Sequence, residues 1–519
     1  MEGWQSLAEC TGLENQRGFR SSGGSNPSPS TLEIIILSFY IFQRINALVN
    51  SMKPVVRFAP SPTGQLHIGG VRTALFNYLF ALKNNGTFLL RIEDTDLERS
   101  KEVHTKQIID SLKWLGLEYQ GDPIKQSSRM KRYQEVIKYL LNTGNAYRCF
   151  ATIEELKKLR YESDKYLYPR IWRDRSEQEI DAKLQNKENY VIRIKIPLNG
   201  NIFFKDLVYE DINTDCSELD DFIIARSDGT PTYNFTVVVD DHDMQVSHVI
   251  RGEDHISNTP KQILIYNALK WDAPEFAHLP MILGSDGNRL SKRHGAVGTQ
   301  TYRELGYLPD TLINYLSLLG WNPGTEEEVF NFQFLLDNFS LEKVNKKAAV
   351  FDNKKLDWLS GQHIMQKESE DLLDLIRSIK PEWGSSISSE KYLISIISHL
   401  KERSKTLLDI ISQSEYFFND PGKYDQNAVA KCWHEDTPKL LKSFSEKSLV
   451  CIDWENESIA TCINEFSEKK SVSMGKLIQP LRVSLCGSLT GPSIIDLMVL
   501  IGKDACIRRI NYAIQSLSK

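Results

Sequence analysis

Residues 54–92 confine the fold more than any other stretch of the chain. Pro54-Val-Val-Arg-Phe-Ala59 reads as a short buried strand, and Pro60-Ser-Pro-Thr-Gly64 is turn chemistry. Ile68, Val71, Leu75, Phe76, Leu79, Phe80 and Leu82 then recur at helical spacing, and Phe88-Leu-Leu-Arg-Ile92 is a second strand. Strand, glycine-containing turn, helix and strand within about forty residues form a β-α-β unit, whose strands are parallel and whose crossover is right-handed. The expected fold class is therefore α/β, a doubly wound parallel sheet of the Rossmann type.

The pattern changes between about 130 and 225. Charged helices are expected at Lys131–Leu141 and Glu154–Tyr161, with an alternating strand at Tyr190-Val-Ile-Arg-Ile-Lys-Ile196, so an α+β subdomain is inserted into the sheet. Parallel-type strands return at Thr236-Val-Val-Val239 and Ser247-His-Val-Ile250, followed by a helix from Pro260 to Leu269. From about 329 the strands vanish and amphipathic helices dominate, at Asp371–Ile379, Leu393–His399 and Ile494–Gly502. The expected organisation is an N-terminal extension (1–52), a nucleotide-binding domain (53–328) and an all-helical domain (329–519).

Composition excludes several classes. A chain of 519 residues exceeds what one core usually supports, and 41% hydrophobic with 25% charged residues is ordinary for a globular protein. The formal charge of −5 lends no gross electrostatic support to a nucleic-acid partner, which must come from motifs. Eight cysteines without C-x-x-C spacing point to reduced thiols in an intracellular protein. The apolar run Ile34–Phe42 is far shorter than the roughly 20 residues that span a bilayer, so no membrane partner is expected. Glu2, Glu9 and Glu14 ahead of it argue against a signal peptide. Arg17, Arg20 and several serines leave a mitochondrial presequence as the alternative to a cytoplasmic location, and Met52 is a candidate start.

His67-Ile-Gly-Gly70 falls where the turn enters the first helix. Unpaired N–H groups and the positive dipole end meet there, and glycines let a flat or anionic ligand approach the backbone. An imidazole at that place can donate to a phosphoryl oxygen as charge develops. In isolation the same residues would serve helix–sheet packing. In context, Arg57-Phe-Ala-Pro-Ser-Pro-Thr-Gly-Gln-Leu-His-Ile-Gly-Gly70 resembles the first signature of class I aminoacyl-tRNA synthetases, in the form used by the glutamate branch. The class-wide motif carries a second histidine where Gly70 stands, a position the glutamate members commonly lack, so more rests on His67.

The second candidate is Gly284-Ser-Asp-Gly-Asn-Arg-Leu-Ser-Lys-Arg-His-Gly295, a glycine-rich cationic turn suited to neutralising a triphosphate as pyrophosphate departs. Arg289-Leu290-Ser291-Lys292-Arg293 resembles the second signature loop of the same family. Arg289 replaces the usual first lysine, keeping the charge and changing its shape. Lys292 matches the second lysine. Asp228–Phe235, Val237–Asp241 and His248–His255 also resemble glutamyl-tRNA synthetases. The resemblance is dense from about 54 to 325 and thins to islands beyond, such as Gln479-Pro-Leu-Arg482.

The resemblance implies ATP-dependent activation of L-glutamate to an adenylate, followed by transfer to tRNA(Glu), with magnesium accompanying the triphosphate. It implies catalytic roles for His67 and Lys292, and ATP contacts from these residues with Gly69, Gly70, Arg289, Leu290, Ser291 and Arg293. A glutamate pocket is argued from charge, since two carboxylates and one ammonium call for two cationic forks and an anion. Arg57, Arg251 and Glu93 stand at strand ends that converge on one crevice. The matching family positions add Tyr233, Ala59 and Ser61. Lys401-Glu-Arg-Ser-Lys-Thr-Leu407 resembles the segment that sets an arginine, here Arg403, against the anticodon. Some relatives bind zinc in the insert, but Ala146–Ala151 offers Cys149 alone, so no zinc is expected. The competing readings are an enzyme that also charges tRNA(Gln), a glutaminyl-tRNA synthetase, and an inactive RNA-binding relative. A monomer is expected.

Overall fold

The structure is a computed structural model that describes residues 53–96, 98–163, 167–290, 298–449 and 453–517. Residues 1–52, on which the expectations about a leader rest, lie outside the described residues, as do Ser291, Lys292 and Arg293.

Strand β1 (Val55–Phe58) pairs in parallel with β2 (Thr87–Ile92), which pairs in parallel with β3 (Ile124–Lys125). The second half of the sheet has β9 (His248–Gly252) parallel to β10 (Glu275–Leu279). Ser247 joins the halves: its N–H donates to the Val55 carbonyl at 2.9 Å, and its hydroxyl accepts from the Val55 N–H at 2.8 Å. Helix α1 (Ile68–Lys83) turns a continuous apolar stripe onto this sheet. Leu75, Phe76 and Leu79 are fully buried, a contribution of about 1.5–3 kcal/mol each. The amide of Asn77 donates to the Ile250 carbonyl at 3.0 Å, pinning α1 against β9.

Thr236–Val239 is not a strand. These residues lie within helix α3 (Tyr233–Asp243), and the whole run from Phe235 to Asp241 is buried. A short, continuously apolar run has no periodicity to separate a buried strand from a buried helix, and the β preference of valine is weak beside packing. The helix has a consequence for the site. It directs the neighbouring carboxylates of Asp240 and Asp241 to different hydrogen-bond partners, described below.

The insert begins with helix α2 (Met130–Asn142) and contains an antiparallel sheet in which β5 (Val191–Ile194) lies between β4 (Ala146–Cys149) and β8 (Ile223–Ala225). Part of the expected insert belongs to the main sheet instead. The hairpin of β6 (Asn201–Asp206) and β7 (Glu210–Asp215) extends it, β6 pairing in parallel with β10. Register across a sheet comes from packing partners far apart in the chain, which the local alternation of residues 201–215 does not specify.

Packing also places the end of the nucleotide-binding part later than residue 328. Its apolar core continues through Phe330, Phe339, Phe351 and Leu356 to Leu359. Strands do not vanish at 329 either, since Ala349–Val350 pairs with Ile282–Leu283. Beyond, the chain is helical. The expected helices occur at Ser369–Ile379, Glu390–Leu400 and Ile494–Ile501, around a core that includes Ile397, Phe444, Leu481 and Leu497. No helix among the described residues is long and apolar enough to cross a membrane.

Candidate active site

A crevice of about 780 Å³ opens at the carboxyl ends of β1, β2, β9 and β10. It brings together the expected residues Arg57, Ala59, Ser61, His67, Gly69, Gly70, Glu93, Tyr233, Arg251, Arg289 and Leu290. Arg403 lies elsewhere, in the helical part.

His67 caps α1. Its Nδ1 accepts the Gly70 N–H at 3.2 Å, doing what a serine or aspartate usually does at this position. Burial, assisted by Arg289, holds the imidazole below its ordinary pKa against the pull of Asp254. The neutral ring with Nδ1 accepting carries its proton on Nε2, which leaves Nε2–H as a donor. A Cβ on residue 69 would stand 3.2 Å from the His67 ring, so glycine there lets the ring fold back over the helix start.

Arg57 is buried and spends Nε (3.0 Å) and Nη2 (3.3 Å) on the two oxygens of Asp241. Arg91, fully buried in β2, also bonds Asp241 and reaches Glu93 at 3.1 Å. Burial would raise the Asp241 carboxyl, but the Arg57 and Arg91 guanidiniums outweigh it and hold it below the usual range. For Glu93 burial wins and the carboxyl is pushed up, with Arg91 and Arg57 opposing. Asp240, the preceding residue of α3, accepts from Gln126, Arg129 and Tyr133 and lies 4.0 Å from Arg91.

Arg251 is treated differently. It is 5% exposed, and its partners are neutral: Nε donates to His278 Nε2 at 3.1 Å, and Nη2 donates to the Thr259 hydroxyl at 2.7 Å. Its Nη1 is buried without a hydrogen-bond partner, and no carboxylate pairs with it among the described residues. Tyr233, the first residue of α3, shares a 3.2 Å hydrogen bond with His255 Nδ1, and burial, with Glu93 adding, pushes its phenol up to about 12. Of these two arginines, Arg57 is thus neutralised by the protein and Arg251 keeps an open charge; Arg72 and Arg289 also line the crevice, Arg72 donating to the Leu319 and Pro280 carbonyls and Arg289 pairing with Asp254.

Arg91, Asp206, Asp241 and His278 are not legible as site residues from sequence. Asp206 and His278 sit in a hairpin and a strand that local patterning does not assign to the sheet. A faint signal exists for His278, a polar residue inside the apolar run Phe276-Ala-His-Leu279, and for Asp240-Asp241, two acids closing the run Thr236–Val239.

The second signature turn is a tight reversal. Leu290 N–H returns to the Ile282 carbonyl at 3.0 Å, and Gly287 at its tip has φ +75°, a conformation other residues resist. The reversal carries Arg289 to Asp254, 3.1 Å away. Leu290 and Gly298, the described residues that flank 291–297, both line the crevice, and Gly298 bridges to His67. Cys149 is buried and donates its thiol to the Tyr168 hydroxyl at 3.2 Å. No group of three or more His, Cys, Asp or Glu among the described residues could hold a metal ion.

A split parallel sheet, a histidine-capped first helix and a trailing helical part define a class I tRNA synthetase. Residues 53–358 match the family described as "tRNA synthetases class I (E and Q), catalytic domain", and residues 370–514 match an anticodon binding domain. The chain belongs to this family. It is 42% identical over 469 residues to glutamate–tRNA ligase 2 of Caldicellulosiruptor saccharolyticus, covering 88% of this chain and 97% of that protein. It is 43% identical over 468 residues to glutamate–tRNA ligase of Geobacter sulfurreducens, covering 89% and 99%. The crystal structure of a glutamate tRNA ligase from Elizabethkingia meningosepticum in complex with its amino acid superposes with a TM-score of 0.81 at 36% identity, covering 90% of this chain and all of that one.

Proposed function

We propose that the crevice joins L-glutamate to tRNA(Glu) in two steps, and that His67 and Lys292 carry the chemistry. A glutamate carboxylate oxygen attacks the α-phosphorus of ATP, the bond to the bridging oxygen breaks, and pyrophosphate leaves. A terminal ribose hydroxyl of the tRNA then attacks the glutamyl carbonyl and AMP departs. The observation that carries this reading is the unequal pair of arginines. A buried guanidinium without a carboxylate, beside one already paired and a carboxylate on the next strand, is the charge set a bound glutamate would complete.

In this reading His67 Nε2–H donates to a phosphoryl oxygen at the start of α1, where the helix dipole adds to it. Gly69 and Gly70 admit the nucleotide, and Arg289, Leu290, Ser291, Lys292 and Arg293 are assigned the ATP phosphates by their place in the second signature. Phosphoryl transfer is catalysed largely by positioning and charge, so neither His67 nor Lys292 need exchange a proton. Magnesium accompanies the triphosphate. The described residues offer no cluster to cage it, and no step here is assigned to it. A monomeric, cytoplasmic enzyme without zinc completes the proposal.

ATP–pyrophosphate exchange, run with glutamate and tRNA together, tests the whole reading, which does not survive an intact protein that shows no exchange. Lys292→Ala is expected to slow exchange by about 10² or more, the scale of one lost transition-state charge partner, with little change in glutamate binding. A near wild-type rate would remove Lys292 from the chemistry.

Choice of tRNA is proposed to rest in part on Arg403, which is exposed after helix Glu390–Leu400 and donates to the Gly491 carbonyl. An exposed guanidinium whose bound partner is a backbone oxygen keeps donors for a base edge. Arg403→Gln is expected to narrow the preference for tRNA(Glu) over tRNA(Gln) several-fold, on the order of 1 kcal/mol for one base contact. Unchanged relative kcat/KM for the two tRNAs would return Arg403 to the surface.

A further inference from the structure

Behind Arg251 lies a buried chain of polar groups that no step above uses. Asp206, at the end of β6, accepts the backbone N–H groups of Val208 (2.9 Å), Tyr209 (2.8 Å) and His278 (3.3 Å) on one carboxylate oxygen. Its other oxygen stands 2.6 Å from Nδ1 of His278 on β10. The ring's second nitrogen, Nε2, lies 3.1 Å from Arg251 Nε and 3.2 Å from the Thr259 hydroxyl. Asp206 is 1% exposed and His278 fully buried, so neither can exchange these partners for water.

The geometry points to Asp206 and His278 as positioning residues that set the crevice's preference for a carboxylate. This rests on the reading of Arg251 as a glutamate ligand. A carboxylate can only accept, so Asp206 fixes the imidazole proton on Nδ1. Nε2 is then a lone pair, and Arg251 Nε, which can only donate, is drawn onto it. Two properties of Arg251 follow. The guanidinium is aimed, because Nε and Nη2 are both taken while Nη1 is left without a partner. It is also uncompensated, because a neutral imidazole orients the cation without cancelling its charge, whereas Asp241 cancels that of Arg57. A carboxylate on the ligand is therefore worth more here than a neutral amide of the same shape.

Asp206→Asn tests the chain directly. The asparagine carbonyl can keep the three backbone N–H groups while its NH₂ faces His278 Nδ1, which forces the proton onto Nε2 and sets donor against donor at Arg251. The expected result is a rise in the glutamate KM of about tenfold or more, the scale of an unsatisfied buried donor, with the ATP KM unchanged and discrimination against glutamine reduced. His278→Gln keeps an acceptor oxygen for Arg251 and cannot switch tautomer. In that background Asp206→Asn is expected to add less than about twofold, a non-additivity that a general loss of packing would not produce. Equal glutamate KM values in wild type and Asp206→Asn would overturn the inference, as would equal effects of Asp206→Asn in the two backgrounds. Loss of exchange in the wild-type protein would instead overturn the reading of the crevice. Should Asp206→Asn fail to fold, His278→Gln against His278→Leu supplies the comparison: an acceptor at 278 is expected to hold the glutamate KM within about threefold of wild type and its loss to raise it tenfold, and equal values would overturn the inference.

Discussion

Arg251→Ala is expected to raise the KM for glutamate about thirtyfold or more and to leave the KM for ATP within about twofold. The argument is one of unshared charge. In the free protein Arg251 is held by His278 and Thr259 with Nη1 unpartnered, and its guanidinium carbon lies 5.7 Å from the centre of the Phe276 ring. Burial, with Arg57 adding, lowers its pKa, and Tyr233, Asp241 and Glu93 oppose the shift without reversing it. Truncation leaves a ligand carboxylate desolvated without a partner, a loss of roughly 2–5 kcal/mol. The folded protein should tolerate the change, because His278 Nε2 and the Thr259 hydroxyl remain 3.2 Å apart and can satisfy each other. ATP–pyrophosphate exchange at varied glutamate, with tRNA present, measures the effect. Glutamate KM values that match in mutant and wild type would take Arg251 out of the pocket.

Much of the site is legible in the amino-acid sequence, and for a physical reason. His67, the glycines and Arg57 belong to a strand–turn–helix run whose geometry is local, so spacing alone puts them at one end of the sheet. Arg251, Glu93 and Tyr233 follow by a weaker route, through the convergence of parallel strand ends and a family likeness. What the sequence cannot convey is which cation is already spent. Arg57 and Arg251 look alike in a string of letters. One is neutralised by Asp241, 184 residues away, and the other is oriented by His278, 27 residues away. Such pairings depend on register across a sheet and on whether Thr236–Val239 winds as a helix or extends as a strand, and neither follows from a short apolar run. The hairpin carrying Asp206 is hidden in the same way, inside a region whose alternation suits an insert equally well.

The largest effect on stability is expected from Asp241→Ala. Asp241 is 2% exposed and is shared by Arg57 and Arg91, themselves 4% and 0% exposed. Without it Arg57 loses its ion pair among the described residues, and Arg91 keeps Glu93 at 3.1 Å and Asp240 at 4.0 Å. A buried ion pair adds little net stability over an apolar replacement, but removing one partner strands the other, at a cost of about 3–5 kcal/mol. Arg57 is the stranded guanidinium while Arg91 keeps two carboxylates, so the expected loss is about 3 kcal/mol or more, read as the shift in urea unfolding at pH 7. The pH dependence has a definite sign. Arg57 and Arg91 hold the Asp241 carboxyl below its ordinary value despite burial, so its contribution is present above the unfolded value of about 3.9 and is lost as pH falls through the folded one. The gap between wild type and mutant should therefore stay level from pH 7 to about 4 and narrow below that. His255 acts in the same direction but in a higher pH window. Burial, then Arg251, lowers it to about 4, so the unfolded chain takes up its proton first and both proteins lose stability together as pH falls from about 6.5 to 4. That shared decline cancels in the difference. A gap under about 1 kcal/mol at pH 7, or one that widens on acidification below 4, would mean that Asp241 does not hold the two arginines.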